Sequence, residues 1–472
     1  MSGKIKKLRV RIAPSPTGPL HIGTARTALF NYLFAKKHNN SFILRIEDTD
    51  LERSDSKYEK DIIDGLKWLG IEWDELYKQS KRTKTYEKYL KKLLDSGHAY
   101  EDEIIWFKNP KKKVVFDDLI RGRVEFDSSL FDDFSIAKDL KTPLYNFAVV
   151  IDDYEMKISH VIRGEDHISN TPKQILIQEA LGLPAPNYAH LPLILGPDKT
   201  KLSKRHGAVS IIDYKEQGYL PEALINFMAL LGWSVQGGPG NDRELFSVKE
   251  LIKEFSLEKI QKGGAIFNIE KLDWFNGHYI RQLSLDKLTE MCTPYLIESG
   301  LIKPEFKSEQ YPPGYGGYSI KEEYIVKETK EKIELKKLKK IISLEQERMK
   351  KISEIGELTE FFFKELKYKP SLLKWKDMNK KEIEESLNKL EKILSEIKEK
   401  DFTAKKLEKI LMPEAEQTGQ PVGETGDRGK LLWPLRVALT GKKASPGPFE
   451  IAEILEKEKV LKRIKYAQKI AK

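Results

Sequence analysis

The N-terminal part of the chain alternates between two patterns of apolar residues. Leu8, Val10 and Ile12 alternate with charged residues, which predicts a β-strand. Apolar residues then recur every three or four positions from Ile22 to Leu33, which predicts a helix. The succession repeats with a strand at residues 42–46 and amphipathic helices at about 58–69 and 83–97. This order is typical of a parallel sheet with helices on its faces.

The alternation is interrupted between residues 100 and 144. Short strands are predicted there at 104–108, 113–116 and 124–126, among turns and charges, and we interpret the segment as a small β-rich insertion. The parallel pattern then returns, with strands predicted at 145–151, 160–163 and 190–195 and a helix at 171–182. The block at 211–281 is predicted to be helical, with Pro221 in the first turn of one helix.

Beyond residue 283 the pattern predicts helices only, separated by loops at 311–318 and 419–429. Apolar residues between 338 and 352 recur at nearly heptad spacing, which allows a coiled coil. Because that run is short, packing within a helical bundle is the better interpretation. Further helices are predicted within 380–411 and from residues 432 and 449.

Length and charge narrow the class of protein. With 472 residues the chain is too long for one ordinary domain and suits three or four. Lys and Arg number 83 against 73 Asp and Glu, a formal net charge of +10. This modest excess permits nucleic-acid binding without requiring it, because lysine-rich helices are often only solvated faces.

Cysteine and histidine usage excludes several other classes. The single cysteine, Cys292, rules out an internal disulfide and any cysteine-cluster metal site. The eight histidines lack ligand-like spacing, so no zinc is expected. The first residues lack the apolar core of a signal peptide, and no apolar run is long enough to span a bilayer. We therefore expect a cytoplasmic protein without a membrane partner.

Candidate chemistry begins in the loop between the first strand and the first helix. Pro14, Pro16, Gly18 and Pro19 make this loop stiff, and His21 lies where the helix starts. A strand that ends in a rigid loop and opens onto a helix can hold a phosphate at the helix N-terminus. Taken alone, the loop is equally compatible with an ordinary strand-to-helix turn.

Two further segments carry charged groups at positions where α/β proteins bind ligands. Residues 47–50 (Glu-Asp-Thr-Asp) and 163–167 (Arg-Gly-Glu-Asp-His) each follow a predicted strand, and ligands bind outside the carboxyl ends of such strands. A loop at 196–207 carries several lysines, although it lacks the pattern of a P-loop. Taken alone, that loop is more simply a solvated surface loop.

In combination these segments resemble a known family. His21-Ile-Gly-Thr24 and Lys201-Leu-Ser-Lys-Arg205 resemble the two signatures of class I aminoacyl-tRNA synthetases. The likeness is closer to bacterial-type glutamyl-tRNA synthetases. It rests on the motifs at residues 11–18, 42–50, 145–153, 160–172, 261–267 and 434–441. It is dense over residues 9–281 and patchier beyond.

The resemblance implies an activity and a set of site residues. The implied enzyme is a glutamate–tRNA ligase that uses ATP and Mg²⁺ to form glutamyl-adenylate and then charges tRNA(Glu). His21, Lys201 and Lys204 would be catalytic. The implied ATP site comprises His21, Gly23, Thr24, Asp166, His167, Leu193, Ile194, Lys201 and Lys204. The implied glutamate site comprises Arg11, Ala13, Ser15, Glu47, Tyr145 and Arg163. An internal salt bridge to Glu47 or Glu165 is the alternative for the two arginines.

The resemblance also implies a domain organisation. A Rossmann-like α/β catalytic domain would occupy residues 1–99 and 145–196, split by a shortened connective insertion at 100–144. A stem-contact domain would follow at 197–281, and two helical anticodon-binding domains at 282–375 and 376–472. Arg348 is a candidate contact to the last anticodon base, with a solvated arginine as the alternative. Thr24 and Leu202 depart from the signatures, and the insertion lacks the Cys-rich zinc segment of some relatives.

Other functions remain open on sequence grounds. The enzyme could also glutamylate tRNA(Gln), and a monomer is the family expectation. Truncated paralogues that glutamylate a tRNA base lack an anticodon-binding half, which the chain beyond Arg281 provides. A small adenylyltransferase would explain His21 but not the long helical region. A non-catalytic tRNA-binding protein would not need His21, Lys201, Lys204 and Arg163 together.

Overall fold

The computed structural model describes residues 8–50, 52–203, 205, 210–235, 243–304, 321–418 and 427–472. The chain divides into two units, Met1–Asn276 and Gly277–Lys472. The predicted loop at 311–318 and most of that at 419–429 lie outside the described residues.

The first unit is built around parallel strands. Strands β1 (Arg9–Ile12), β2 (Ser41–Ile46) and β3 (Glu75–Lys78) pair in parallel in that order. Their connections contain helices α1 (Ile22–Lys37) and α2 (Ser56–Trp68), and α3 (Thr83–Asp95) follows β3. The strands and helices predicted in this region are confirmed, but the sequence pattern predicted no strand between α2 and α3, where β3 lies.

A second sheet continues beside β1. Strand β10 (His160–Gly164) pairs in parallel with β11 (Asn187–Leu191), with helix α5 (Thr171–Leu181) between them. The backbone N–H of Ser159 donates to the carbonyl oxygen of Arg9 over 2.9 Å, which brings β10 alongside β1. Asn31 on α1 also donates to the carbonyl oxygen of Ile162 over 3.0 Å. Strands β1 and β10 therefore lie side by side where the two sheets meet.

The segment interpreted as an insertion is shared between two sheets. Strands β4 (Ala99–Asp102), β5 (Ile104–Phe107), β8 (Phe134–Asp139) and β9 (Thr142–Pro143) form an antiparallel sheet of their own. Strand β6 (Lys113–Asp118) instead pairs in parallel with β11 and carries β7 (Gly122–Asp127) as an antiparallel neighbour. Two of the inserted strands thus extend the sheet that begins with β10.

The strand predicted at residues 145–151 is wrong, because Tyr145–Glu155 is a helix, α4. Every side chain from Phe147 to Asp153 is buried. A helix that is apolar on all sides shows no 3.6-residue periodicity, and its β-branched residues imitate a buried strand. This helix lies in the same core as α3 and α5, with Phe147 and Ile151 fully buried.

The rest of the first unit is mainly helical, as predicted. It contains β12 (Ile194–Leu195), α6 (Ile211–Glu216), α7 (Pro221–Ala229), α8 (Val248–Glu254), β13 (Ala265–Ile266) and the start of α9 (Ile269–Gln282). Strands β12 and β13 pair in parallel. The predicted single strand at 190–195 is divided between β11 and β12. Pro221 begins α7, as its missing N–H favours.

The second unit is mostly helical but contains a small sheet that the sequence did not indicate. Its helices are α10 (Leu285–Glu298), α11 (Leu335–Glu345), α12 (Ile355–Phe363), α13 (Lys380–Glu396), α14 (Ala404–Glu416), α15 (Gly429–Thr440) and α16 (Pro448–Ala471). Strands β14 (Ile302–Pro304), β15 (Glu323–Val326) and β16 (Lys332–Glu334) form an antiparallel sheet. These strands have only three or four residues, too few for alternation to stand out. The expectation of helices alone beyond residue 283 is therefore wrong.

Candidate active site

A cleft of about 1070 Å³ opens at the carboxyl ends of β1, β2 and β10, beside the first turn of α1. Fourteen of the residues that the sequence singled out line it. They are Arg11, Ala13, Ser15, His21, Gly23, Thr24, Glu47, Tyr145, Arg163, Asp166, His167, Leu193, Ile194 and Lys201. Residues up to 190 positions apart in the chain therefore meet in one cavity, and their individual roles stay predictions.

Two of the predicted site residues do not join this group. Lys204 lies outside the described residues. Arg348 belongs to the second unit, where its Nη1 donates to Oε2 of Glu345 over 2.6 Å. Arg348 is half-buried against that fully buried carboxylate, so it is held by an internal partner.

The first turn of α1 presents donors to the cleft. His21 caps the helix, since its Nδ1 accepts a hydrogen bond from the backbone N–H of Gly23 over 3.2 Å. With Nδ1 accepting, a neutral imidazole carries its proton on Nε2. Burial, with a smaller contribution from Lys201, lowers the pKa of His21 and favours that neutral form. His21 is therefore suited to donate a hydrogen bond from Nε2 without carrying a charge.

One wall of the cleft contains a buried cluster of opposite charges. Arg11 binds Asp153 through two bonds, from Nε to Oδ1 at 3.1 Å and from Nη2 to Oδ2 at 3.3 Å. Arg45 donates from Nη1 to the same Oδ1 over 2.7 Å and from Nη2 to Oε1 of Glu47 over 2.9 Å. The cluster fixes Arg11 and Glu47 at the edge of the cleft, because Arg11 shares Asp153 with Arg45 and Glu47 binds Arg45 directly.

Burial and charge act in opposite directions on the carboxylates of this cluster. Burial alone would raise the pKa of Asp153, but Arg11 and Arg45 hold it below its ordinary value. Burial raises the pKa of Glu47 despite the opposing effect of Arg45. Arg45 itself is completely buried, and the surrounding carboxylates outweigh the cost of its burial and raise its pKa. Glu47 is thus the member most easily protonated if the balance is disturbed.

Asp152 anchors the far side of the same cluster. Its carboxylate accepts hydrogen bonds from Gln79 (2.8 Å), Arg82 (2.7 Å) and the hydroxyl of Tyr86 (2.9 Å). The Nε of Arg45 lies 3.8 Å from its Oδ2. Asp152 therefore has three hydrogen-bond donors in addition to its contact with Arg45.

Arg163, near the end of β10, also lines the cavity, and only 5% of its surface is exposed. Its Nε donates to Nε2 of His190 over 3.1 Å and its Nη2 to the hydroxyl of Thr171 over 2.8 Å. Its Nη1 is buried and finds no hydrogen-bond partner among the described residues. An unpaired donor of this kind is costly, so an acceptor supplied by a ligand would be favourable.

Four further polar residues line the cavity and bind one another in pairs. The hydroxyl of Tyr145 lies 3.0 Å from Nδ1 of His167. Burial and the nearby Arg163 lower the pKa of His167 to about 4, so His167 is neutral near pH 7. Lys201 Nζ donates to Oδ2 of Asp166 over 3.1 Å. Burial alone would raise the pKa of Asp166, but the bond from Lys201 holds it below its ordinary value.

The structure adds functional residues that the sequence analysis did not single out. Arg45, Asp153 and His190 hold the predicted arginines and Glu47, although none was proposed as a site residue. Arg11 pairs with Asp153 rather than with Glu47 or Glu165, so the internal partner suggested for it was wrong. A charged residue within an otherwise apolar strand, such as Arg45 in β2, was the one signal present.

The described residues contain neither a candidate metal-binding cluster nor a candidate membrane-spanning helix. No group of three or more His, Cys, Asp or Glu side chains in the described part of the chain could hold a metal ion. Within that same part, no helix has the length and apolar character needed to cross a bilayer. The cleft presents guanidinium groups, an ammonium group and carboxylates beside the N-terminus of α1.

Two family models match the chain. One, described as tRNA synthetases class I (E and Q), catalytic domain, matches residues 7–105 and 101–274. The other, described as an anticodon binding domain, matches residues 287–468. Together they assign a class I catalytic fold and a helical anticodon-binding region, in agreement with the predicted fold class.

Individual relatives are similar over their whole length. Glutamate–tRNA ligase 1 of Caldanaerobacter subterraneus is 41% identical, and the match covers 98% of each chain. The glutamate–tRNA ligase of Aquifex aeolicus is also 41% identical with 98% coverage of each chain. A crystal structure of a glutamate tRNA ligase from Elizabethkingia meningosepticum, in complex with its amino acid, has a TM-score of 0.80 at 31% identity. That match covers 99% of this chain and 100% of the other.

Proposed function

Because the chain belongs to the glutamate–tRNA ligases, we propose that its cleft activates L-glutamate with ATP and passes the glutamyl group to the 3′-terminal adenosine of tRNA(Glu). Members of this family are aminoacyl-tRNA synthetases, and the match over 98% of the chain makes tRNA glutamylation its activity.

The unpaired Nη1 of Arg163 is the observation that carries the assignment of the glutamate site. It is a buried cationic donor on the wall of the cleft, with no partner among the described residues. A carboxylate is the acceptor that a guanidinium binds most strongly, often through two parallel bonds. We propose that Arg163 binds a carboxylate of the substrate. The side-chain amide of glutamine has no negative charge and could not form the same ion pair.

The buried cluster around Arg45 suits the rest of the amino acid. Arg11 is fixed by Asp153, and Glu47 by Arg45, so both present oriented charges to the cavity. Glu47 can pair with the substrate ammonium, and that positive charge would lower the pKa that burial raises. Ala13, Ser15 and Tyr145 complete the proposed amino-acid site. Substrate binding would thereby give Arg163 a carboxylate partner and Glu47 an ammonium partner.

The helix end suits the nucleotide. A neutral His21 can donate from Nε2 to a phosphate oxygen, while the positive end of the α1 dipole attracts the same anion. Lys201 supplies a mobile positive charge, and Lys204 is assigned the same role from the sequence alone. Gly23, Thr24, Asp166, His167, Leu193 and Ile194 are proposed to complete the ATP site.

Activation needs positioning and charge stabilisation rather than proton transfer. The attacking carboxylate of glutamate is already ionised near pH 7, so no general base is required. It attacks the α-phosphorus of ATP, forming the acyl phosphate bond as the bond to pyrophosphate breaks. The protein contributes alignment and positive charge on the leaving group. The ribose hydroxyl of tRNA then attacks the carbonyl carbon and releases AMP.

Mg²⁺ enters this proposal only as the counter-ion of ATP. No cluster of protein ligands that could hold the ion by themselves occurs among the described residues. Mg²⁺ commonly binds through substrate phosphates and keeps several waters. We further propose a monomeric cytoplasmic enzyme, in keeping with the family resemblance, and light scattering of the purified chain tests the first of these properties.

Charging assays test the function directly. The full chain is incubated with ATP, labelled glutamate and purified tRNA(Glu) or tRNA(Gln), and acid-precipitable label is counted. Charging of tRNA(Glu) is expected, and its absence with both tRNAs would overturn the proposal. The tRNA(Gln) reaction separates an enzyme specific for tRNA(Glu) from one that also mischarges tRNA(Gln). Labelled glutamine in place of glutamate tests whether the site with Arg11 and Arg163 requires a negatively charged substrate side chain.

A further inference from the structure

Arg163 belongs to a row of three side chains that lie on neighbouring strands. Strand β10 carries Arg163, β11 carries His190 directly opposite it in register, and β6 ends at Asp118 on the other side of β11. Arg163 Nε donates to His190 Nε2 over 3.1 Å, and His190 Nδ1 lies 2.6 Å from Asp118 Oδ2. All three side chains are at least 95% buried. They form a continuous hydrogen-bonded row across three strands.

The partners of this row determine where each proton lies. The Nε of an arginine always carries a proton, so Nε2 of His190 must accept and the ring proton must lie on Nδ1. Asp118 then accepts that proton, and its Oδ1 also accepts from the backbone N–H groups of Ile120 (2.9 Å) and Arg121 (2.8 Å). Asp118 is surrounded by donors and is therefore an ionised acceptor. His190 is a neutral imidazole in one defined tautomer.

The pKa values agree with this assignment. Burial alone would raise the pKa of Asp118, but the bonds from His190 and from the two backbone N–H groups keep it below its ordinary value. Burial, together with Arg163, lowers the pKa of His190 despite the opposing effect of Asp118. A protonated His190 would place an N–H against the N–H of Arg163, which the geometry excludes.

We infer that Asp118 and His190 are positioning residues that orient Arg163 so that its unpaired Nη1 faces the substrate carboxylate. The inference rests on the proposed function, in which Arg163 binds glutamate. It assigns a task to the inserted segment at 100–144, because Asp118 is the last residue of an inserted strand. The insertion then contributes to amino-acid binding through a chain of two hydrogen bonds.

Other contacts limit how much of the orientation depends on this row. Thr171 also accepts a hydrogen bond from Arg163, and the guanidinium carbon lies 5.6 Å from the centre of the Tyr188 ring. The Thr171 hydroxyl also lies 3.2 Å from Nε2 of His190, and the Tyr188 ring stacks on the His190 ring, so these contacts are retained most fully when Asp118 is changed. The loss in such a variant should therefore be smaller than the loss on removing Arg163 itself.

Asp118→Asn tests the inference with a minimal change of shape. The amide oxygen of the introduced asparagine can still accept from the backbone, which leaves its NH₂ group facing Nδ1 of His190. The ring proton must then move to Nε2, where it opposes the N–H of Arg163, as in the tautomer change described for triad aspartate variants. The glutamate KM should rise about tenfold, the size expected for one lost hydrogen bond to a charged group. The ATP KM and kcat should stay within about twofold, because the row contacts neither phosphate nor reacting atoms.

The assay is tRNA-dependent pyrophosphate exchange on the full chain, with glutamate and ATP varied separately. His190→Gln supplies the conservative comparison, because one amide can accept from Arg163 and donate to Asp118. Its glutamate KM should lie closer to the parent than that of His190→Leu, which can do neither. His160→Gln is the matched control, since His160 lies at the other end of the same strand pair and outside the cleft. Thermal melting verifies that each variant is folded.

The outcomes distinguish the positioning role of Asp118 and His190 from the proposed role of Arg163 in binding glutamate. A glutamate KM within about twofold of the parent in folded Asp118→Asn overturns the inference, as do equal losses for glutamate and ATP, which indicate a general structural role. If Asp118→Asn does not fold, the comparison between His190→Gln and His190→Leu decides, and equal KM values overturn the inference. Arg163→Ala serves as the reference. If it leaves the glutamate KM unchanged, the proposed role of Arg163 is itself wrong.

Discussion

Removal of the buried positive charge of Arg45 should destabilise the first unit in a way that depends on pH. Arg45 is completely buried and contacts three carboxylates. Its Nη1 lies 2.7 Å from Asp153, its Nη2 2.9 Å from Glu47 and its Nε 3.8 Å from Asp152. In Arg45→Met a side chain of similar length remains, but the cluster retains three carboxylates and loses one of its arginines.

The stability deficit of Arg45→Met relative to the parent should arise mainly at Glu47. Asp153 keeps Arg11 and Asp152 keeps Arg82, whereas Glu47 loses the arginine that binds it. Removing one partner of a buried ion pair costs about 3–5 kcal/mol. Glu47 can avoid part of that cost by binding a proton, because burial already raises its pKa and Arg45 opposes the rise.

Proton binding by Glu47 makes this stability deficit depend on pH. A carboxyl group whose pKa is raised in the folded state is stabilising at low pH, and that stability is lost as the pH rises toward the raised value. The slope for one proton is about 1.4 kcal/mol per pH unit. The deficit of Arg45→Met relative to the parent should therefore be larger at about pH 8 than at about pH 6. The glutamate KM should rise as well, since a protonated Glu47 no longer attracts the substrate ammonium.

Calorimetry of the full chain at the two pH values measures this effect. The transition of the first unit is identified by its shift at saturating ATP and glutamate, because ligands stabilise the unit that binds them. Arg82→Met is the matched control, since it removes one charge from the same cluster but leaves Asp152 with Gln79, Tyr86 and Arg45. A deficit in Arg45→Met that is equal at both pH values would refute the reasoning. So would a larger deficit in Arg82→Met.

Four further variants test separate parts of the molecule. Arg163→Ala should raise the glutamate KM about 100-fold in pyrophosphate exchange, the upper range for a hydrogen bond to a charged group, and an unchanged KM would remove Arg163 from the site. Lys204→Ala should slow adenylate formation, measured in single turnover, far more than it weakens tRNA binding, whereas equal losses would contradict the assigned role. The pKa of Glu345 is raised to about 7 by burial, although Arg348 opposes this, so stability is lost as the pH rises from about 5 to about 7. Glu345→Gln should flatten that fall in the melting temperature of the second unit, and an unaltered pH profile would count against it. Arg348→Ala should weaken tRNA binding with unchanged glutamate and ATP KM values in exchange assays, and unaltered tRNA affinity would leave Arg348 a structural residue.

The cleft could be predicted from the sequence because its residues follow strand ends. Arg11 lies in the first strand, Glu47 follows the second, and Arg163 lies near the end of β10. Parallel strands bring such positions to one edge, so short motifs far apart in the chain point to one cavity. The family resemblance added the chemical roles, which spacing alone does not specify.

The groups that hold these residues could not be predicted in the same way. Arg11 and Asp153 are 142 positions apart, and no local pattern indicates that they form an ion pair. Asp153 also lies just beyond the segment predicted as a strand, and helix α4 instead places it in the core together with the residues before it. Tertiary packing determines both facts. The same holds for Asp118 and His190, whose contact depends on how an inserted strand joins the sheet.

The way β6 joins β11 limits which parts of this protein can be exchanged. A segment that appears in the sequence as a detachable insertion contributes two strands to the sheet of the catalytic cleft. Chimaeras that replace residues 100–144 as a block would expose the edge of β11 and remove Asp118. Grafts confined to the antiparallel sheet of β4, β5, β8 and β9 would leave that edge covered. Recombination between related enzymes should therefore be selected against within β6.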